Sequence, residues 1–370
     1  MKALVLSITA GGGHNATAKA VQDSLQAQGV ECRFLDTFEH LSPFLYSATE
    51  GIFSFSADHA SKPYALGYRA CEKLRNSPKL KPLRELASFL ADKLSVYLEN
   101  YQPDVVIATH VFPSMLLSSL KKRGLAGFTA IGVLTDFTYH PFWEECTHLD
   151  YLVTPNDMFG WEGAQRGFAP GQLLPFGIPI HPKFQGPSRY TKEQIRQALG
   201  LETDCPTVLV MSGSMGHGSM SRTVQTLDAL PNRMQMIVVC GSNKEEKHRL
   251  HRLRFHKKVV VLGWVNYVDK LMDASDCLIT KPGGITTSEA MAKNLPIVMI
   301  NPLPGQEDRN VEFLLNNGVA MFATKTNPLD NVLFQLLNNP QRQQSMQTAI
   351  EALRRPASTQ TLVDFILQNA

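Results

Sequence analysis

Short runs of β-branched and aliphatic residues alternate with longer amphipathic stretches along nearly the whole of this chain. That alternation leaves few folds open. Strands separated by helices cannot pair as hairpins, so they line up in parallel and return through right-handed crossovers. In the first half the strand-like runs are Ala3–Ile8, Cys32–Leu35, Val105–Thr109, Ala130–Thr135 and Tyr151–Thr154. Helical patterns fall at Ala16–Gln28, Leu83–Asn100 and Pro113–Lys122. In the second half strands are expected at Thr207–Ser212, Gln235–Cys240, Lys258–Leu262, Asp276–Thr280 and Ile297–Ile300. Helices are expected at Thr191–Leu199, Ser221–Leu230, Lys244–Phe255, Val268–Ala274, Thr286–Asn294 and Asn310–Asn316. Between the halves, Pro175–Ser188 holds four prolines and two glycines, the composition of a linker. The expected organisation is a first α/β domain over 1–180, a second over 181–345, and a C-terminal helix over 346–370 that crosses back to the first.

At 370 residues the chain is long enough for two domains of ordinary size, and 44% hydrophobic against 19% charged residues gives each a core. A net charge of +3 is too small to argue for nucleic acid as a partner. The cysteines Cys32, Cys71, Cys146, Cys205, Cys240 and Cys277 are scattered with no C-x-x-C pair, which fits reduced thiols and neither disulfides nor zinc. The chain enters a strand at once, so no signal peptide is expected. No apolar run approaches the roughly 20 residues that span a bilayer, so any membrane contact is expected to be peripheral.

Ligands of open parallel sheets collect at the carboxyl ends of the strands, and the unusual polar residues fall there. Gly11-Gly12-Gly13-His14 follows the first strand, His110 the third, and Asp136 the fourth. The glycines let a ligand approach the backbone, and His14 is suited to take a proton from a hydroxyl. Asp136 shares a loop with His140 and Trp143, where it can orient a histidine or serve as an alternative base. In the second half the glycine-rich turn Ser212–Gly218 follows one strand and Pro282-Gly283-Gly284 another. The first of these is neither a dinucleotide fingerprint nor a Walker loop.

The segment Lys281–Asn310 carries the most chemistry. A glycine turn at Pro282-Gly283-Gly284 feeds a helix start, whose N–H groups and dipole suit phosphate. Glu289, one turn in, suits a ribose diol. A second turn at Pro304-Gly305-Gln306-Glu307 supplies an amide and a carboxylate for sugar hydroxyls. Together these are the parts of a nucleotide-sugar site. No D-x-D occurs in the chain, which argues against a metal-dependent one. The stretch Leu41–Leu94 mixes aromatic with basic residues and reads equally as an interfacial surface for an anionic leaflet or as a helical insertion. Lys244–Lys258 reads as a solvated amphipathic helix, with a lipid-facing patch as the lesser reading.

At these residues the sequence resembles glycosyltransferase family 28, in the branch of the monogalactosyldiacylglycerol synthases and processive diacylglycerol glucosyltransferases. The matching pieces are SITAGGGHNATAKA, Thr109-His110, TDFTYHPFW, FGIPIHPKF, VLVMSGSMG, GWV at Gly263–Val265, SDCLITKPGGITTSEAMA and PLPGQEDRN, in family order over roughly residues 1–340. The resemblance implies a GT-B fold: two Rossmann-like domains whose parallel sheets face each other across a cleft. It implies inverting, metal-independent transfer of a hexose from a UDP-sugar to diacylglycerol, with no cofactor, at the inner face of the cell membrane. Inversion also fits Lys281, which stands where retaining enzymes of this architecture often carry the first of two glutamates. Gly283, Gly284, Thr286 and Thr287 would face the diphosphate, helped by Gly213 and Ser214. The Val265 backbone would meet the uracil and Glu289 the ribose. Gln306 and Glu307 would read the sugar, with Asn310 supporting that turn. His14, with Asp136, would serve the acceptor, beside Gly12, Gly13, His110, His140 and Trp143. Alternatives are N-acetylglucosaminyl transfer to a lipid-linked peptidoglycan precursor, a UDP-sugar 2-epimerase, and a UDP-sugar sensor without transfer.

Overall fold

The computed structural model describes residues 1–9, 12–42, 46, 81–186, 188–211 and 220–369. The expectations for Gly213 and Ser214, and for most of Leu41–Leu94, lie outside the described residues. The chain divides into two units. One comprises Met1–Pro182, Pro304–Gln306 and Ala357–Ala370, the other Lys183–Leu303 and Glu307–Pro356.

The first unit runs β1 (Lys2–Ser7), α1 (Gly12–Ala27), β2 (Glu31–Asp36), α2 (Thr37–Leu41), α3 (Lys81–Tyr101), β3 (Val105–Ala108), α4 (Val111–Lys122), β4 (Thr129–Val133), a 3₁₀ turn Pro141–Cys146, β5 (Tyr151–Val153), α5 (Phe159–Gln165) and β6 (Leu173–Leu174). Its six strands pair in the order β2-β1-β3-β4-β5-β6, all parallel. Strands such as Ala3–Ser7 and Val105–Ala108 are buried throughout, as a sheet covered on both faces requires.

The second unit continues with α6 (Lys192–Ala198), β7 (Thr207–Met211), α7 (Met220–Asp228), β8 (Gln235–Val239), α8 (Lys244–Arg252), β9 (Val259–Leu262), α9 (Val268–Asp273), β10 (Cys277–Thr280), α10 (Gly284–Ala292), β11 (Ile297–Met299), α11 (Gln306–Asn316), β12 (Ala320–Phe322), α12 (Leu329–Leu337) and α13 (Pro340–Leu353). Its sheet order is β12-β11-β10-β7-β8-β9, again all parallel. The last helix, α14 (Ser358–Asn369), belongs to the first unit. Its Leu362, Val363 and Ile366 are buried with Val21 and Leu25 of α1 in the core beside β1. Thr359 Oγ1 also donates to the Ile180 carbonyl at 2.5 Å.

Several helices begin earlier than their patterns suggest, three of them at residues expected in turns. α1 starts at Gly12, α10 at Gly284 and α11 at Gln306, so glycines and polar residues expected in turns lie in first helical turns. The first N–H groups of a helix have no intrahelical partner, so residues that are poor helix formers are tolerated there. Gly305, at φ 105° just before α11, has the conformation of a true turn. The short edge strands β6 and β12 were not expected.

Candidate active site

In each sheet the strand order reverses at one point, and the crevice beyond the strand ends there is the natural ligand site. In the first unit it lies between β1 and β3. His14 enters from the first turn of α1, with Gly12 and Gly13 just before it. Its Nδ1 lies 2.9 Å from the Thr109 carbonyl at the end of β3 and 3.0 Å from Thr135 Oγ1 after β4. A carbonyl can only accept, so Nδ1 carries the hydrogen and Nε2 keeps its lone pair. The groups that orient His14 are thus a carbonyl and a threonine hydroxyl, and Asp136 acts on it through charge.

His110 and His140 are built in differently. Each caps a helical turn: His110 Nδ1 accepts from Phe112 N at 3.0 Å, and His140 Nδ1 accepts from Phe142 N at 3.3 Å. An accepting Nδ1 means that the hydrogen is on Nε2. The His110 ring stands edge-on to His14 with centroids 4.6 Å apart. All three are held neutral. Burial lowers His14, partly offset by the Asp136 charge and the Thr109 carbonyl. Burial pushes His110 well below the usual histidine range, and neighbouring His14 and His140 add to that. Burial, then Arg166 and His14, brings His140 to about 4.

These histidines line a cavity of about 240 Å³ together with Thr135, Asp136, Thr138 and Gln306. Phe38, Val111, Phe112, Met115, Leu134, Phe142 and Trp143 make the rest of its wall apolar. Gln306 groups with this unit, and its Nε2 donates to Asp136 Oδ2. Buried Asp36 was missed in the sequence. One of its oxygens accepts from Thr9 N at 2.7 Å and Thr9 Oγ1 at 2.6 Å, the other from Phe38 N and Glu39 N. Asp36 therefore ties the exit of β1 to the start of α2 and sets Phe38 in the cavity wall. An aspartate directly before a helix was the available signal. The loop bearing His140 is braced by Arg166, which contacts Glu162 at 2.7 Å and Glu144 at 3.4 Å and lies over the Tyr139 ring.

In the second unit the reversal lies between β7 and β10. After β10, Gly283 caps α10 without a side-chain hydrogen bond. The first amides of α10 are thus left as an anion cradle. Thr286 is half-buried in this first turn. Thr287 is fully buried, and its hydroxyl donates to the Gly283 carbonyl at 2.8 Å, which directs that side chain into its own helix. Asn310 is also buried, with Nδ2 donating to the Pro282 carbonyl at 2.9 Å, so α11 is pinned to the Pro-Gly-Gly turn. Glu307 accepts from Leu303 N, and its Oε1 would lie 4.0 Å from a Cβ added at Gly283.

Glu289 is half-buried on α10. Burial pushes its carboxyl up to about 8, with Lys183 opposing and Asp269 adding to the shift. Val265 lies in the loop between β9 and α9, which Lys183 Nζ braces by donating to the Asn266 carbonyl at 2.7 Å. The neighbouring Trp264 is 70% exposed.

Two parallel α/β units, each with its polar residues gathered at the point where strand order reverses, define a GT-B architecture. MurG of Acinetobacter baumannii shares the fold with a TM-score of 0.62 over 99% of both chains at 16% identity. The glycosyltransferase SnogD of Streptomyces nogalater shares it at 0.60, with 14% identity and 99% of both chains. In sequence, the model of monogalactosyldiacylglycerol (MGDG) synthase matches residues 14–180, and that of the glycosyltransferase family 28 C-terminal domain matches residues 207–362. A processive diacylglycerol beta-glucosyltransferase of Bacillus pumilus is 27% identical over all of this chain and 95% of its own length. A probable chloroplastic monogalactosyldiacylglycerol synthase of Nicotiana tabacum is 30% identical over 90% of this chain and 64% of its own. The chain belongs to glycosyltransferase family 28, in the branch of the monogalactosyldiacylglycerol synthases and processive diacylglycerol glucosyltransferases.

Proposed function

We propose that this enzyme transfers a hexose from a UDP-sugar to the 3-hydroxyl of diacylglycerol, with inversion and without a metal ion, at the inner face of an anionic membrane. The observation that carries the reading is the tautomer of His14. With Nδ1–H engaged by the Thr109 carbonyl, Nε2 is an unprotonated base in a cavity of apolar walls, which suits a hydroxyl on a lipid. In the reaction the 3-hydroxyl gives its proton to Nε2, and its oxygen forms a bond to the anomeric carbon from the face opposite the phosphate. The bond to the β-phosphate oxygen breaks, and UDP departs with the electron pair. The amides of the first turn of α10 are suited to hold that charge. Glu289 takes the ribose diol, and Gln306 with Glu307 reads the sugar. The names of the relatives support a hexose as the transferred group and diacylglycerol as the acceptor. The absence of D-x-D supports metal independence.

Membrane contact is supported by α3. Its Leu86, Phe89 and Val96 are exposed on one stripe, with Lys93 5.0 Å over the Phe89 ring and Lys81 exposed at the helix start. An exposed apolar stripe that carries a lysine suits an anionic interface. Its other side packs on α4, which carries Val111, Phe112 and Met115 of the cavity. Among the described residues no helix is long and apolar enough to cross a membrane.

The test is incubation of purified protein with diacylglycerol liposomes and each UDP-hexose, with and without chelator, followed by product mass and anomeric configuration. A β-glycosyl diacylglycerol formed equally with chelator is expected. An α-linked product overturns inversion, and no glycolipid from any donor overturns the acceptor.

A further inference from the structure

We propose that His110 is a specificity-determining residue that reads the ester carbonyl next to the attacked hydroxyl, through Nε2–H, and so selects diacyl over dialkyl glycerol. This rests on the diacylglycerol reading above. The helix cap fixes the tautomer of His110. His110 Nδ1 accepts the Phe112 N–H at 3.0 Å, so the ring has one remaining polar group, a donor at Nε2. Serine, aspartate or asparagine caps a helix better than histidine does. Histidine adds what serine and aspartate lack, a neutral N–H donor at the far side of the cap. Burial keeps it neutral, so it does not add a cation that would disfavour a proton on His14.

The placement of that donor sets what it reads. His110 lines the same cavity as His14, ring to ring at 4.6 Å. An acceptor whose hydroxyl sits on His14 Nε2 therefore meets His110 within a few atoms. In a 1,2-diacylglycerol the next carbon carries an ester, whose carbonyl oxygen accepts and cannot donate. The ether analogue lacks that oxygen and leaves the N–H unpaired when it fills the cavity. A site built to hydrogen-bond a group rejects the analogue without it far more strongly than an apolar wall rejects a lost methylene.

The test compares kcat/KM for 1,2-diacylglycerol and 1,2-dialkylglycerol of equal chain length in liposomes of one composition. The wild-type enzyme is expected to favour the diester by about tenfold or more. His110→Ser keeps a cap and removes the imidazole N–H, which the shorter serine hydroxyl does not replace, and its ratio should fall toward one. Equal use of both lipids by the wild type, or an unchanged ratio in His110→Ser, overturns the proposal while leaving the diacylglycerol reading intact. Absence of transfer to either lipid overturns that reading and this proposal with it. Long-range proton–nitrogen spectra of the free wild-type protein give a check without substrate. Hydrogen on His110 Nε2 is expected, and hydrogen on Nδ1 sinks the assignment.

Discussion

Donor binding should release a proton from Glu289. In the free enzyme burial raises this carboxyl to about 8 from a reference of 4.5. At pH 7 it is therefore about nine-tenths protonated. A protonated acid offers a ribose diol one donor and a weakened acceptor, whereas the carboxylate offers both oxygens to both hydroxyls. Binding selects the carboxylate, and its affinity follows the ionised fraction of Glu289. That fraction drops roughly fiftyfold between pH 8 and pH 6. The phosphates of a UDP-hexose are diesters and do not titrate in this range, so the donor adds no proton of its own. Titration calorimetry without acceptor, in buffers of different ionisation enthalpy, should show release of about 0.9 proton per site at pH 7. Glu289→Gln should bind more weakly than the wild type at pH 8, with no proton release and no pH dependence. The sign for folding is the opposite. A carboxyl raised in the folded state contributes fully below about 4.5, and that contribution is lost as pH rises through about 8. The unliganded protein thus loses stability over the window in which donor affinity grows. A wild-type proton count near zero, with affinity flat from pH 6 to 8, refutes the reasoning.

Three further outcomes are expected. His14→Ala should lower turnover by about 10²- to 10⁴-fold while calorimetry shows donor affinity unchanged, because His14 serves the acceptor. The histidines of the cavity are lowered from 6.5, so they stabilise the fold above that pH and this is lost as pH falls through their folded values, about 4 for His140. Melts from neutral to acid pH should show the loss, reduced in His140→Gln, and the acid limb of kcat/KM should lie below 6.5 for His14. Gly163→Ala places a Cβ 2.6 Å from the Tyr139 hydroxyl and 2.7 Å from Leu173 Cδ1. Overpacking of this kind costs about 1–3 kcal/mol in denaturant unfolding, and it presses on the loop that carries His140.

The interior strands were legible because parallel strands buried on both faces read as unbroken apolar runs, as Val105–Ala108 does. The helix starts were less legible. Gly12 and Gly284 look like turn residues in sequence, yet the first turn of a helix admits them, so the phosphate cradle is formed by the helix itself. Thr287 and Ser288 stand alike in sequence beside Thr286, but both hydroxyls donate to carbonyls of their own helix. Capping by His110 and His140 was hidden as well, since histidine is a less usual cap and its tautomer depends on the amide that it accepts from.

What the sequence by itself determined is local and periodic: parallel α/β units, polar residues at strand ends, and a glycine-bounded segment from Lys281 to Asn310 with the groups a nucleotide sugar needs. The tertiary structure decided which groups act together. His14 became a base only when β3 was laid beside β1, which brought a carbonyl from 95 residues away onto Nδ1 and left Nε2 bare. Asp36 became part of the same site when its carboxylate met Thr9 from 27 residues away. Periodicity shows which face of an element is buried. Which hydrogen-bond partner waits there depends on strand order, and only the packed sheet sets it.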